Sequence, residues 1–157
     1  MKTKIIWALS IFVAFIFIQS MFFKFSGAEE TVIIFGTIAR WLSSISLPDN
    51  LAAAFGTYGG YGVGIVELVA AALIVIPATR KLGASLSLLV ISGAIFFHLF
   101  TPLGIDRIVD QAGNTDGGAL FATAVAVWLA SAGIVLLSRS RKSKPDFGAL
   151  QNAGAAV

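Results

Sequence analysis

Five polar side chains stand inside long apolar runs of this sequence, or at their mouths: Gln19, Lys24, Glu67, His98 and Asp116. A polar group costs free energy in hydrocarbon, so each needs a partner or a task. A carboxylate, an imidazole and an ammonium sharing one bilayer half can hold a proton, pass it on, or grip a ligand oxygen. Glu67 is the strongest single signal. To stay charged at its depth it needs a cation, and Lys24 and His98 are the ones in reach. The competing explanation is a buried hydrogen bond that only fixes helix register. His98 is the only histidine. It could donate to a carbonyl, relay a proton or ligate a metal, or be a hydrogen-bonded core residue. Lys24 could snorkel to headgroups or turn inward to Glu67 or Asp116. Asp116 could cap the helix that starts beyond Gly117 and Gly118.

The chain has no cysteine. That excludes disulfides, thiolate-held clusters and a thiol relay within this chain. One histidine without cysteine does not make a protein-only zinc site, and haem on a single axial histidine is not expected. "GGYGVG" lacks the context and the order of a potassium filter, and no strand precedes it to make a dinucleotide loop. "NTDGG" resembles part of a calcium loop, but Thr123 stands where a glutamate is needed.

Long apolar elements must position these groups. Of the 157 residues, 57% are hydrophobic and 12% charged, and mean hydropathy is +0.91. A soluble domain of this size is not so apolar. Four runs are long enough to span a bilayer: 5–23, 58–79, 83–104 and 118–138. The net charge of +3 does not indicate nucleic acid, because the basic residues cluster at the ends of apolar runs. Lys2, Lys4, Arg80, Lys81, Arg139, Arg141, Lys142 and Lys144 fall on one side, and only Lys24, Arg40 and Arg107 on the other. The positive-inside rule puts the first set, with both termini, in the cytoplasm. The N-terminal run lacks a small-residue cleavage site and reads as an uncleaved helix.

The expected fold is therefore an all-α integral membrane four-helix bundle with an extra interfacial helix on the outer side. The bundle occupies residues 1–144, and 145–157 form a cytoplasmic tail. The outer insertion, 31–56, holds a helix at 31–46 with Ile34, Ile38, Trp41, Leu42 and Ile45 at helical spacing. Pro48 ends it, and Asp49 or Asn50 caps a short helix over 51–55 that Gly56 closes. "RKLG" makes a tight basic turn. Three stripes face inward: Gly60, Gly64, Glu67 and Ala71; Ser87, Ile91, Ala94 and His98; and Asp116, Leu120, Thr123 and Val127. The five polar residues thus converge on one pocket in the outer half.

"QSMFFKFSG", "GIVELVAAALIVIP", "KLGASLSLLVISGAIFFHL", "LGI" and "DGGALF" follow one another from about residue 18 to 138. In these pieces the chain resembles the DoxX-like family (DoxX/DoxD) of small bacterial membrane proteins. The resemblance implies a four-helix bundle in the bacterial cytoplasmic (inner) membrane, with Lys24, Glu67, His98 and Asp116 at the family's recurring polar positions. One relative is associated with thiosulfate:quinone oxidation, which implies a redox-associated subunit binding a quinone or similar lipophilic ligand. Glu67 and His98 would be catalytic, and Gln19, Lys24, His98 and Asp116 would bind the ligand. Here the stretch between Lys24 and Glu67 is longer than the family's pattern, and Gly60 stands where a basic residue is expected. Electrons would come from a redox partner protein or a soluble substrate. Membrane lipid is the other partner, and oligomeric state stays open. The alternative is a non-enzymatic accessory or lipid- or solute-handling membrane protein whose polar cluster is structural.

Overall fold

The computed structural model describes residues 1–138, so the 145–157 tail and Arg139, Arg141, Lys142 and Lys144 lie outside the described residues. Five helices follow one another: α1 (Lys2–Phe25), α2 (Glu29–Ser44), α3 (Asp49–Val75), α4 (Arg80–Phe100) and α5 (Ala119–Leu137). All but α2 are long and apolar enough to cross a membrane. They close a ring in which α1 packs on α3 and α5, α3 on α4, and α4 on α5. Direction alternates around the ring, as in an up-down-up-down bundle. Ile11, Phe15, Leu89 and Leu129 point outward, a surface that suits lipid and not water.

Small residues let the helices approach. The core joins Val13, Ala14 and Phe17 to Ala70, Ala71 and Ile74, then to Ala84 and Ile91, and to Ala124, Val127, Ala130 and Ile134. Without a hydrophobic drive between helices in lipid, close backbone contact supplies the association. The tightest approach is at Gly83, where a Cβ would lie 2.5 Å from the Ile74 nitrogen. Ser87 and Ser131, both fully buried, share a hydrogen bond of 2.8 Å between α4 and α5.

Several expected boundaries shift. No separate helix over 51–55 forms, because α3 runs unbroken for 27 residues. Gly56 does not close it: α2 lies against this stretch, and the Phe35 ring takes the space that side chains at 59 and 60 would fill. Neither Asp49 nor Asn50 caps α3. The Pro48 carbonyl accepts from the Leu51 and Ala52 N–H groups instead. Arg80 and Lys81 already belong to α4. The turn before them follows from Pro77, which pushes Ile76 into extended backbone. Pro102 acts likewise on Thr101, ending α4 at Phe100 and not at Gly104.

Helix α2 packs chiefly on the first half of α3, with Phe35 and Ile38 buried. Ile45 falls beyond it and is exposed. On α5 the inward stripe is Ala124, Val127, Ala130, Ser131 and Ile134, whereas Leu120 is exposed.

Candidate functional site: a polar layer at the α2 end of the bundle

Lys24 stands in the last turn of α1 and Glu67 in the inner part of α3. Helix ends alone would keep them apart. In a helix, however, each Cα–Cβ bond leans toward the N-terminus. Because α1 and α3 are antiparallel, the two side chains lean toward each other. Lys24 doubles back one turn to donate to Ser20 Oγ. Its Nζ also donates to both carboxylate oxygens of Glu67, at 3.1 and 2.8 Å. The pair is nearly closed to solvent, at 14% and 6% side-chain exposure. Lys24 is therefore drawn inward and does not reach for headgroups.

Glycines make room for this pair. A Cβ at Gly64 would lie 2.7 Å from Phe25 Cε2 and 3.5 Å from Lys24 Cδ. Phe25 in turn meets Tyr61 edge-on, with centroids 5.5 Å apart. Beside it opens a cleft of about 60 Å3 lined by Lys24, Gly27, Thr31, Gly60 and Tyr61, among others. That volume suits one or two waters and is too small for a ring.

His98 is buried in the last turn of α4. Its Nδ1 lies 2.6 Å from the Gly104 carbonyl oxygen, and its ring meets Phe121 edge-on at 5.7 Å. A carbonyl only accepts, so Nδ1 carries the proton, and Nε2 of a neutral ring is an acceptor. The bond closes the chain back after the helix, helped by Thr101, whose hydroxyl donates to the Phe97 carbonyl and accepts from the Leu103 N–H.

Asp116 organises a third station. Its carboxylate accepts from the N–H groups of Gly118 (3.0 Å) and Leu120 (2.9 Å), capping α5, and from the Arg107 N–H at 3.4 Å. Arg107 Nη2 lies 3.8 Å from it and pairs with Glu30 at the start of α2. Burial pushes the Asp116 carboxyl up, but these N–H donors and the guanidinium charge outweigh it and hold the group below its usual range.

The structure thus brings Lys24 to Glu67, as the depth argument expects. It does not assemble one pocket. Among the described residues no hydrogen bond or ion pair links His98 or Asp116 to that couple. Gln19 is exposed on the outside of α1 and joins none of the stations. No group of three or more His, Asp or Glu side chains is placed to hold a metal among the described residues.

Arg107, Glu30, Ser20 and Arg80 are the residues that sequence reasoning missed. Arg107 sits in the polar stretch after α4, where a charge reads as solvated, yet it is 2% exposed. Its burial follows from the hairpin-like turn around Ile108 and Thr115 and from Glu29 and Glu30 clamping that turn. Arg80 is also buried: it donates to the Ile74 and Val75 carbonyls, closing the C-terminus of α3, and stacks on Trp7 at 4.1 Å. Compared with protein families, curated proteins and solved structures, the chain matches none of them.

Proposed function

We propose that this chain is a DoxX-like, redox-associated subunit of the bacterial cytoplasmic membrane. It binds a quinone or similar lipophilic carbonyl ligand in its outer half. The observation that carries this reading is the Lys24–Glu67 couple: an ion pair between two membrane-length helices, beside a water-sized cleft and the Phe25 and Tyr61 rings. Charge is retained between such helices chiefly where protons or ions are handled. Phe25 and Tyr61 are both about two-fifths exposed, at 45% and 41%, so a ring entering from lipid can displace Phe25 from Gly64 and reach Lys24 Nζ.

Reducing a quinone to quinol takes two electrons and two protons, and oxidation releases them. A redox partner protein exchanges the electrons, because the chain carries no centre of its own. Glu67 exchanges one proton, and Lys24, which lines the cleft, stands between it and water. Lys24 keeps the carboxylate charged between turnovers. His98, pinned through Nδ1 to the Gly104 carbonyl, stays outside this step, and the second proton is exchanged with water at the cleft. Lys2, Lys4, Arg80 and Lys81, all at the end opposite α2, support an orientation with the α2 end outside.

The mutual closure of Lys24 and Glu67 favours a second reading, an accessory protein whose polar layer only fixes helix register. Extraction of quinone from the purified protein, with an ultraviolet spectrum before and after borohydride reduction, separates the two. The proposal expects near-stoichiometric quinone, lost in Glu67→Gln. Quinone-free protein that also fails to bind a short-chain quinone would leave the accessory reading.

A further inference from the structure

Arg107 has unfinished hydrogen bonding. It is 2% exposed, and its Nε and Nη1 find no acceptor among the described residues. Together they offer three N–H bonds, and an unpaired buried donor is costly. Arg107 also forms the wall of a cavity of about 400 Å3 between α2 and the chain that follows α4. Ile33, Leu103 and Ile108 give the cavity apolar walls, while Thr37 and Arg40 stand on its α2 side. Its size is that of a small-ligand site, and it is separate from the cleft beside Lys24.

Local charge decides the ligand chemistry. Glu30 and Asp116 already neutralise the Arg107 guanidinium. Asp106 and Asp110 also line the cavity, each engaged by the turn: Asp106 by the Gly117 N–H, Asp110 by Asn114. A further anion at Nε or Nη1 would meet these carboxylates. Neutral acceptor oxygens would not. Arg40 is different: it is exposed, with one bond to Thr37 at 3.0 Å, and is free to meet an anion at the rim.

We infer that this cavity binds a diacyl phospholipid, its ester carbonyls accepting from Arg107 and its phosphate meeting Arg40. Nε and Nη1 are closed to solvent here, so a small turn of the guanidinium toward the cavity is part of the inference; two ester carbonyls then supply the acceptors it lacks. The apolar walls receive the first part of the acyl chains. In the proposed orientation α2 stands at the outer margin of the bilayer, the depth at which ester groups reside. The inference rests on Arg107 and is independent of the reaction proposed for Glu67.

The test compares dioleoyl phosphatidylglycerol with its dialkyl ether counterpart, which keeps the headgroup and lacks the carbonyls. Binding to the delipidated full chain is read by native mass spectrometry. The ester lipid should bind roughly tenfold more tightly, the worth of one good bond to a charged donor. Ile33→Trp fills the cavity and leaves the Arg107 ion pairs intact; Arg107→Lys keeps the charge and removes the fork of donors. Both should abolish the ester preference. Equal binding of the two lipids by the unmodified chain overturns the inference, as does a preference that survives in Ile33→Trp. Displacement of the ester lipid by an equal concentration of short-chain ubiquinone overturns it too, and assigns the cavity to the quinone.

Discussion

An ammonium that folds back a full turn to reach a carboxylate on the next helix has given up the headgroups one turn away. That choice makes Lys24 part of a site and not a boundary marker. Removing it leaves Glu67 buried beside Ser20 alone, at a cost of roughly 3–5 kcal/mol for a buried pair. Lys24→Gln should therefore lower thermal stability in detergent, and adding Glu67→Gln should recover part of the loss. Additive effects in that double-mutant cycle would mean that the two residues are not coupled. This contact was legible because depth and helical face follow directly from periodicity. Arg107 was not. Its burial depends on Glu29 and Glu30 clamping a turn some eighty residues later in the chain, and no local pattern encodes that. Gln19 erred the other way: its position gives the right depth, but one residue of helix rotation puts it on the lipid face, away from Ser20.

Among the elements, the first turns of α4, pressed against the end of α3, leave the least room. Gly83→Ala would drive a methyl into the Leu73 and Ile74 backbone. Backbone there cannot yield as a flexible side chain can, so a loss of about 1–3 kcal/mol is expected, read as a lower melting temperature. The start of α5 should respond to acid. Asp116 has a depressed carboxyl in the folded protein, so its stabilisation is present above the unfolded value, about 4, and is lost as pH falls through the folded one. Asp116→Asn should cost about 1 kcal/mol at neutral pH and flatten the fall in melting temperature on the acid side. An unchanged acid limb would assign that limb to other carboxylates, Asp110 among them, which Asn114 also holds low. Existence and order of the spans were readable from apolar runs. The fusion of 51–55 into α3 was not, because glycines that would end a helix in water sit here beneath Phe35.

At the scale of the whole molecule, four apolar helices form the bundle and a fifth packs chiefly against α3. The chain has no cysteine, so a single introduced one reports sidedness cleanly. On intact cells an impermeant maleimide should label a cysteine at Ser44 and spare one at Ala78, in the turn between α3 and α4. The opposite pattern would invert the proposed orientation. The central claim, that Glu67 exchanges a proton with a carbonyl ligand, is tested most directly by infrared difference spectroscopy on the quinone-loaded protein. Reducing the quinone electrochemically should change a carboxyl band that is absent from Glu67→Gln. A reduction spectrum with the same carboxyl region in both proteins would contradict the claim.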